Sequence, residues 1–197
     1  MKEHKFDVNS FIGGWYIPKK LCDNLIKFFK THKDRSIEGF IDGVQGSVVD
    51  KSWKESRELK IHRNYMEGVI KDYRQQLQKV TDLYLKKYPM SNKVAPFAIV
   101  ENYNLQYYKK NQGFKKWHNE RSSYDISPRH LVFMTYLNDV DDGGTNFYHQ
   151  KITSPAKKGL TLIWPTDWTH THKGQISKKH EKYIITGWFS HVSKDLL

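Results

Sequence analysis

The stretch WHNE places His118 and Glu120 two positions apart. In an extended segment residues i and i+2 point the same way, so this imidazole and this carboxylate can reach one ion. A third donor is available in THTHKG, where His170 and His172 share a face by the same rule. Two imidazoles and one carboxylate on neighbouring vertices leave the opposite vertices of a transition metal open. That donor set suits non-haem Fe(II), at which small molecules bind the metal directly. The triplet alone is common, and without further context a solvated loop histidine is the favoured explanation of His118. Lys182 changes the weighing. It opens KYIITGWF, a run whose two faces are Lys182, Ile184, Thr186, Trp188 and Tyr183, Ile185, Phe189. Both faces are largely apolar, which marks a central strand. An ammonium pointing inward from such a strand needs an anionic partner. A metal-chelated 2-oxo acid whose far carboxylate meets Lys182 accounts for the lysine and the histidines together.

These residues need elements to hold them. Pro18 followed by Leu21, Leu25, Phe28 and Phe29 reads as a short amphipathic helix. Met66, Val69, Ile70, Tyr73, Leu77, Val80 and Tyr84 form the stripe of a longer helix, about Asn64 to Lys87, that Pro89 terminates. Between them Asp34–Ser56 is a candidate mobile loop. From Pro96 the pattern becomes short β-type runs: Phe97–Tyr108, His130–Asn138, Thr145–Tyr148, Gly159–Trp164 and Lys182–Val192. In the first of these, Asn102, Asn104, Gln106 and Tyr108 alternate with Ile99, Tyr103, Leu105 and Tyr107. The apolar set suits packing beneath helices. The expected architecture is an all-β core with helices: residues 1–95 a helical N-terminal part of the same domain, residues 96–197 a sandwich or barrel.

The chain has 197 residues, enough for one domain with a substantial core, and 14% aromatics in keeping with a β-rich interior. A single cysteine, Cys22, excludes an internal disulfide. The N-terminus lacks an apolar leader, and no apolar run nears the ~20 residues of a membrane span, so a cytoplasmic protein is expected. The net charge of +12 raises nucleic acid as a partner. The lysines, however, come as scattered doublets at element ends, and no nucleic-acid motif accompanies them. Gly143–Gly144 reads as a tight turn. Asp139, Asp141 and Asp142 beside it read as its solvated flank.

From about Asn104 to Trp188 the sequence resembles the prolyl 4-hydroxylase-type branch of the Fe(II)/2-oxoglutarate dioxygenases. The resemblance rests on Tyr108 ahead of WHNE, then TYLNDVDDGGTNF, SPAKKGLTLIWP, THTHKG and KYIITGWF. It implies a double-stranded β-helix (jelly roll), and Fe(II), 2-oxoglutarate and O₂, with ascorbate as an accessory reductant. It also implies iron ligation by His118, Glu120 and His172. His172 is selected because this family carries its cosubstrate-binding cation about ten residues after the distal histidine, which is Lys182 here. Tyr108, Thr135 and Thr186 are implied to hydrogen-bond the cosubstrate carboxylate, with Trp188 lining the pocket near the metal. Core packing is the competing explanation for all four of these residues.

Glu120 departs from the family's usual aspartate; the extra methylene moves the carboxylate outward and demands a compensating angle. Retaining a carboxylate argues against halogenation. The implied substrate is a peptide or protein, with proline as the oxidised residue and Asp34–Ser56 or Arg121–Arg129 as closing segments. The rival expectations are a modified nucleic acid or small anionic substrate, and a jelly-roll binding module without turnover.

Overall fold

The computed structural model describes residues 1–43 and 46–193. Strand β1 (Gly13–Tyr16) is followed by helix α1 (Lys19–Thr31) and strand β2 (Ile37–Glu38). A small hairpin, β3 (Ile41–Gly43) and β4 (Gly46–Val48), leads to β5 (Arg57–Ile61) and helix α2 (Gly68–Lys87). The remaining strands are β6 (Phe97–Ala98), β7 (Tyr103–Tyr108), β8 (Arg129–Tyr136) and β9 (Val140–Phe147). They continue with β10 (Ile152–Ala156), β11 (Leu160–Pro165), β12 (His172–Gly174) and β13 (Lys182–His191).

The major sheet runs β1-β11-β8-β13-β7-β5-β2, with β6 also paired to β13, and the minor sheet runs β10-β9-β12. All pairings are antiparallel, so β13 is indeed central, flanked by β7 and β8. Parity along the strands then sorts the side chains. Tyr103, Leu105, Tyr107, Phe133, Ile185 and Phe189 join Leu25, Phe29, Tyr73, Leu77 and Tyr84 in a core shared with the two helices. Val132, Met134, Tyr136, Ile184 and Tyr108 face the other way, toward Phe147 and Trp164, in a second core. The site sits at the open end of that second layer.

The strands and helices depart from the sequence reading in several places. The sheet starts well before Pro96: β1 pairs with β11, and β5 pairs with β7. The alternation in RELKI is strand-like, but its five residues lie beside a long helical stripe that dominates any wider window. Helix α2 begins at Gly68, leaving Met66 exposed. The glycine pair is no turn: Gly143 and Gly144 lie inside β9. A Cβ on Gly144 would fall 1.9 Å from the Ser154 carbonyl oxygen, so backbone approach by β10 is what requires glycine there.

Within the expected loop Asp34–Ser56 the structure places β2, β3 and β4, while residues 44 and 45 lie outside the described residues.

Candidate metal centre

His118 and His172 are held side by side by the backbone. His118 N–H donates to the His172 carbonyl at 3.0 Å, and His172 N–H returns a bond to the His118 carbonyl at 2.8 Å. This two-way bridge joins the segment after β7 to the start of β12. Glu120 is fixed two residues on by its own N–H, which donates to the Thr166 carbonyl at 3.1 Å. The outcome is that His118 Nε2 and His172 Nε2 lie 3.4 and 3.3 Å from Glu120 Oε1.

Each ring is also oriented from behind. His118 Nδ1 lies 3.1 Å from the Lys116 carbonyl and His172 Nδ1 lies 2.9 Å from the His170 carbonyl. A carbonyl only accepts, so each Nδ1 carries the proton and each Nε2 lone pair points at the shared space. Phe114 stacks on His118 with ring centroids 3.5 Å apart, and Trp164 packs edge-on against His172. Trp188 Nε1 donates to the second carboxylate oxygen of Glu120 at 3.0 Å. Burial works to raise the Glu120 pKa, yet the two imidazole groups beside it hold it well below the usual carboxylate range. Burial, then the neighbouring His172, lowers the His118 pKa. A carboxylate and two neutral imidazoles are what a divalent ion needs. Among the described residues this is the one cluster of three or more such donors. The aspartates at 139, 141 and 142 instead bond Lys158 N–H, Lys157 and Lys178 N–H.

Below the cluster lies a cavity of about 90 Å³ reaching Lys182. The Lys182 ammonium donates to the Gly143 carbonyl at 2.9 Å and the Gln175 carbonyl at 3.0 Å. Among the described residues it forms no ion pair, and burial pulls its pKa down to about 8. Tyr108 lies beside it, its ring centroid 5.3 Å from the ammonium, and its hydroxyl donates to Gln106 Oε1 at 2.5 Å. Two buried polar atoms on residues lining this cavity, Asn104 Oδ1 and Trp164 Nε1, have no partner. Above the cluster a wider cleft of about 1020 Å³ opens to solvent, walled by β5, Phe40, Ile41, Glu101 and Arg129.

Residues 103–190 match the family described as the 2OG-Fe(II) oxygenase superfamily. That stretch is a 2OG-Fe(II) oxygenase domain. Among solved structures, a Pseudomonas putida prolyl-4-hydroxylase is similar at a TM-score of 0.67 and 12% identity, over 94% of this chain and 97% of that one. A viral collagen prolyl hydroxylase from Paramecium Bursaria Chlorella virus-1, in its 2OG complex, gives 0.65 and 20% over 92% and 97%. A Trichoplax adhaerens prolyl hydroxylase in complex with a hypoxia inducible factor peptide fragment gives 0.70 and 12% over 93% and 87%. Nothing among the curated proteins matches the chain in sequence. The oxygenase therefore has the prolyl 4-hydroxylase-like jelly-roll fold, and its family uses Fe(II), 2-oxoglutarate and O₂.

The residues of this oxygenase fit those groups: the donor set suits Fe(II), and the cavity ends in an ammonium that, among the described residues, has no counter-ion. The structure also separates the two neighbouring histidines. His170 turns away, its Nε2 bonded to the Ser10 carbonyl at 3.0 Å and its Nδ1 paired with the Thr169 hydroxyl at 3.0 Å. The two do not share a face because Trp168–His170 forms a short 3-10 turn, which breaks the alternation of an extended segment. Thr186 and Trp188 line the inner cavity, as does Tyr108. Thr135 does not. It pairs with Ile185 on the helix-facing side, and its hydroxyl bonds Tyr73 at 3.1 Å and Thr161 at 2.8 Å. Strand β8 is apolar on both faces, so its sequence carried no sign of which parity looks inward.

Lys54 and Phe114 at the site escaped the sequence reading altogether. Lys54 lines both the inner cavity and the outer cleft, and pairs with Glu58 at 2.6 Å while Ser56 donates to the same carboxylate oxygen at 2.8 Å. Nothing local marks Lys54: it sits in a polar stretch, and only the fold brings it to the cavity.

Proposed function

We propose that this dioxygenase hydroxylates an unactivated C–H bond of a peptide or protein, at a proline, in a prolyl 4-hydroxylase-like reaction. The observation that carries the reading is the continuity of three spaces: an acid-binding end at Lys182, the His118–Glu120–His172 cluster, and an open cleft of about 1020 Å³ beyond it. Such a cleft admits an extended chain while the inner cavity remains separate. The solved structures of similar fold include a prolyl hydroxylase holding a peptide fragment, which supports the same reading.

In this proposal His118 Nε2, His172 Nε2 and Glu120 bind Fe(II). Lys182 pairs with the far carboxylate of 2-oxoglutarate, with Tyr108 turning its hydroxyl from Gln106 to the same carboxylate and Thr186 lining the passage. Burial first, then the carboxylates of Glu58 and Glu120, raises the Tyr108 pKa well above its usual value, so the phenol stays a donor. Trp188 holds Glu120 in place through its indole N–H. Phe114, Trp164 and Trp188 exclude water from the reacting centre. The iron, with 2-oxoglutarate and O₂, supplies the oxidation: the 2-oxo acid leaves as succinate and CO₂, and one oxygen atom ends in the C–H bond.

The test is a mass-spectrometric screen of proline-containing peptides and methylated oligonucleotides, with succinate release measured in parallel. His118→Ala, Glu120→Ala and His172→Ala are each expected to abolish both signals and to lose Co(II) binding. The gain of one oxygen atom on a peptide proline supports the assignment. Oxidation confined to the oligonucleotide, the partner that the +12 net charge would favour, overturns the peptide reading and leaves the dioxygenase standing.

A further inference from the structure

Strand β5 forms one wall of the outer cleft, and its alternation decides what that wall offers. Leu59 and Ile61 face the helices, whereas Glu58, Lys60 and His62 face the cleft. The acids of the cleft are already engaged. Glu58 pairs with Lys54 at 2.6 Å, Glu101 with Arg129 at 2.6 Å, and Glu120 lies between two imidazoles. Two cations are not. Among the described residues neither Lys60 nor Arg63 has a carboxylate partner. The Lys60 ammonium rests 5.0 Å from the Phe40 ring centre, and the Arg63 guanidinium donates to the Val100 carbonyl at 2.6 Å. Both side chains are exposed to the cleft.

The sheet register gives the distance from this charge to the chemistry. Lys60 pairs with Asn104 across β5 and β7, and Asn104 pairs with Thr186 across β7 and β13. Two strand spacings make roughly 10 Å. Thr186 and its neighbour Trp188 lie at the inner cavity with the metal-competent cluster. An extended peptide advances ~3.3 Å per residue, so a side chain about three residues from the oxidised position reaches Lys60.

Building on the peptide-hydroxylase reading, we infer that the substrate is a segment with an Asp or Glu about three residues from the oxidised position, selected by Lys60 and Arg63. The cations occupy one wall and are interleaved with paired acids. A nucleic-acid backbone would instead need a continuous basic track. The unpaired charge therefore suits one or two carboxylates.

The experiment compares short peptides with a central proline and Asp, Ala or Lys three residues before or after it. Oxygen incorporation is followed by mass spectrometry and kcat/KM is determined for each. The aspartate peptides are expected to exceed the alanine peptides about three- to fivefold, with lysine peptides below both. That preference should fade as ionic strength approaches about 1 M, where screening acts over ~3 Å. The double variant Lys60→Glu/Arg63→Glu should reverse the order. The neutral variant Lys60→Gln/Arg63→Gln should flatten it, and covers the case in which charge reversal disturbs folding. Equal rates for all three peptides, or a preference that persists in the neutral variant, overturn the inference while the peptide reading stands. Succinate release without oxidation of any peptide, or oxidation confined to an oligonucleotide, overturns both.

Discussion

Among the described residues two lysines are buried, and they differ in one respect that bears on function. At the mouth of the cavity Lys54 already holds its counter-ion, Glu58, at 2.6 Å, and both side chains are nearly inaccessible. At the closed end Lys182 has two carbonyls but no ion pair among the described residues. Removing an ammonium from water is costly, and folding offsets that cost for Lys54 within the chain itself. For Lys182 the cost is left standing, which is why burial lowers its pKa to about 8 whereas Lys54 pairs with a carboxylate. A charge left unneutralised at the end of a cavity is one that a ligand neutralises. The same fold thus holds, among the described residues, one cation with its counter-ion and one without, and the second is the one proposed above to bind the cosubstrate.

The largest effect should come from deleting Lys182, the cation proposed to bind the cosubstrate. Lys182→Ala is expected to raise the KM for 2-oxoglutarate by two to three decades, from the ~3–5 kcal/mol attached to a buried pair with one member lost. Co(II) binding, measured calorimetrically, should stay within a few-fold of the parent. An unchanged KM would place the far carboxylate elsewhere.

Next in size is a stability contrast. Glu58→Gln strands the Lys54 ammonium and should lower the unfolding free energy by ~3–5 kcal/mol, whereas Lys54→Met/Glu58→Leu should recover most of it. In ligand-free protein Lys182→Met should change stability by only about 1 kcal/mol, because relief of desolvation offsets two lost hydrogen bonds. Denaturant titration of all three variants checks the contrast. A large loss in Lys182→Met would show that this lysine, too, is structural.

The third effect is on pH dependence. The Lys182 pKa is depressed to about 8 in the folded, ligand-free protein and is ~10.4 in the unfolded chain. Between those values the unfolded state binds more protons, so this group makes stability rise with pH from about 8 to about 10. Cosubstrate binding needs the protonated form and should weaken about tenfold per pH unit above 8, with proton uptake on binding. Calorimetry in buffers of different ionisation enthalpy measures that uptake, and Lys182→Ala should abolish it. Binding that is flat from pH 7 to 9 would contradict the assignment.

The smallest effect on turnover is expected from a residue outside both regions. His170→Ala should keep iron-dependent succinate release near the parent level. It should cost ~1–3 kcal/mol of stability, since the Ser10 carbonyl loses its buried donor. Loss of Co(II) binding in this variant would mean that the distal donor had been chosen wrongly.

Period-two alternation let the sequence by itself determine a good part of this site. Which side chains of β7 and β13 look inward follows from two residues per repeat, a property of each strand alone. Asn104, Gln106 and Tyr108, like Lys182, Thr186 and Trp188, accordingly stand where the pattern put them. The pairing of His118 with Glu120 was legible for the same reason, and the family pattern of THTHKG and KYIITGWF pointed to His172. What only the tertiary structure decided are matters of long-range contact. A 3-10 turn and the Ser10 carbonyl, far away in sequence, remove His170 from the cluster. The register of β8 against β13 turns Thr135 toward Tyr73, and no contrast of polarity along β8 announced it. Gly144 is required inside a strand because β10 crosses too closely for a side chain, and a neighbouring backbone leaves no mark on a dipeptide. Lys60 and Arg63 reach the cleft because β5 pairs with β7, and Lys54 through its bridge to Phe114, contacts that residues far apart in the chain must meet to form. Local periodicity is written in consecutive residues; the partner across a sheet, and the charge it leaves unpaired, exist only once the chain has folded.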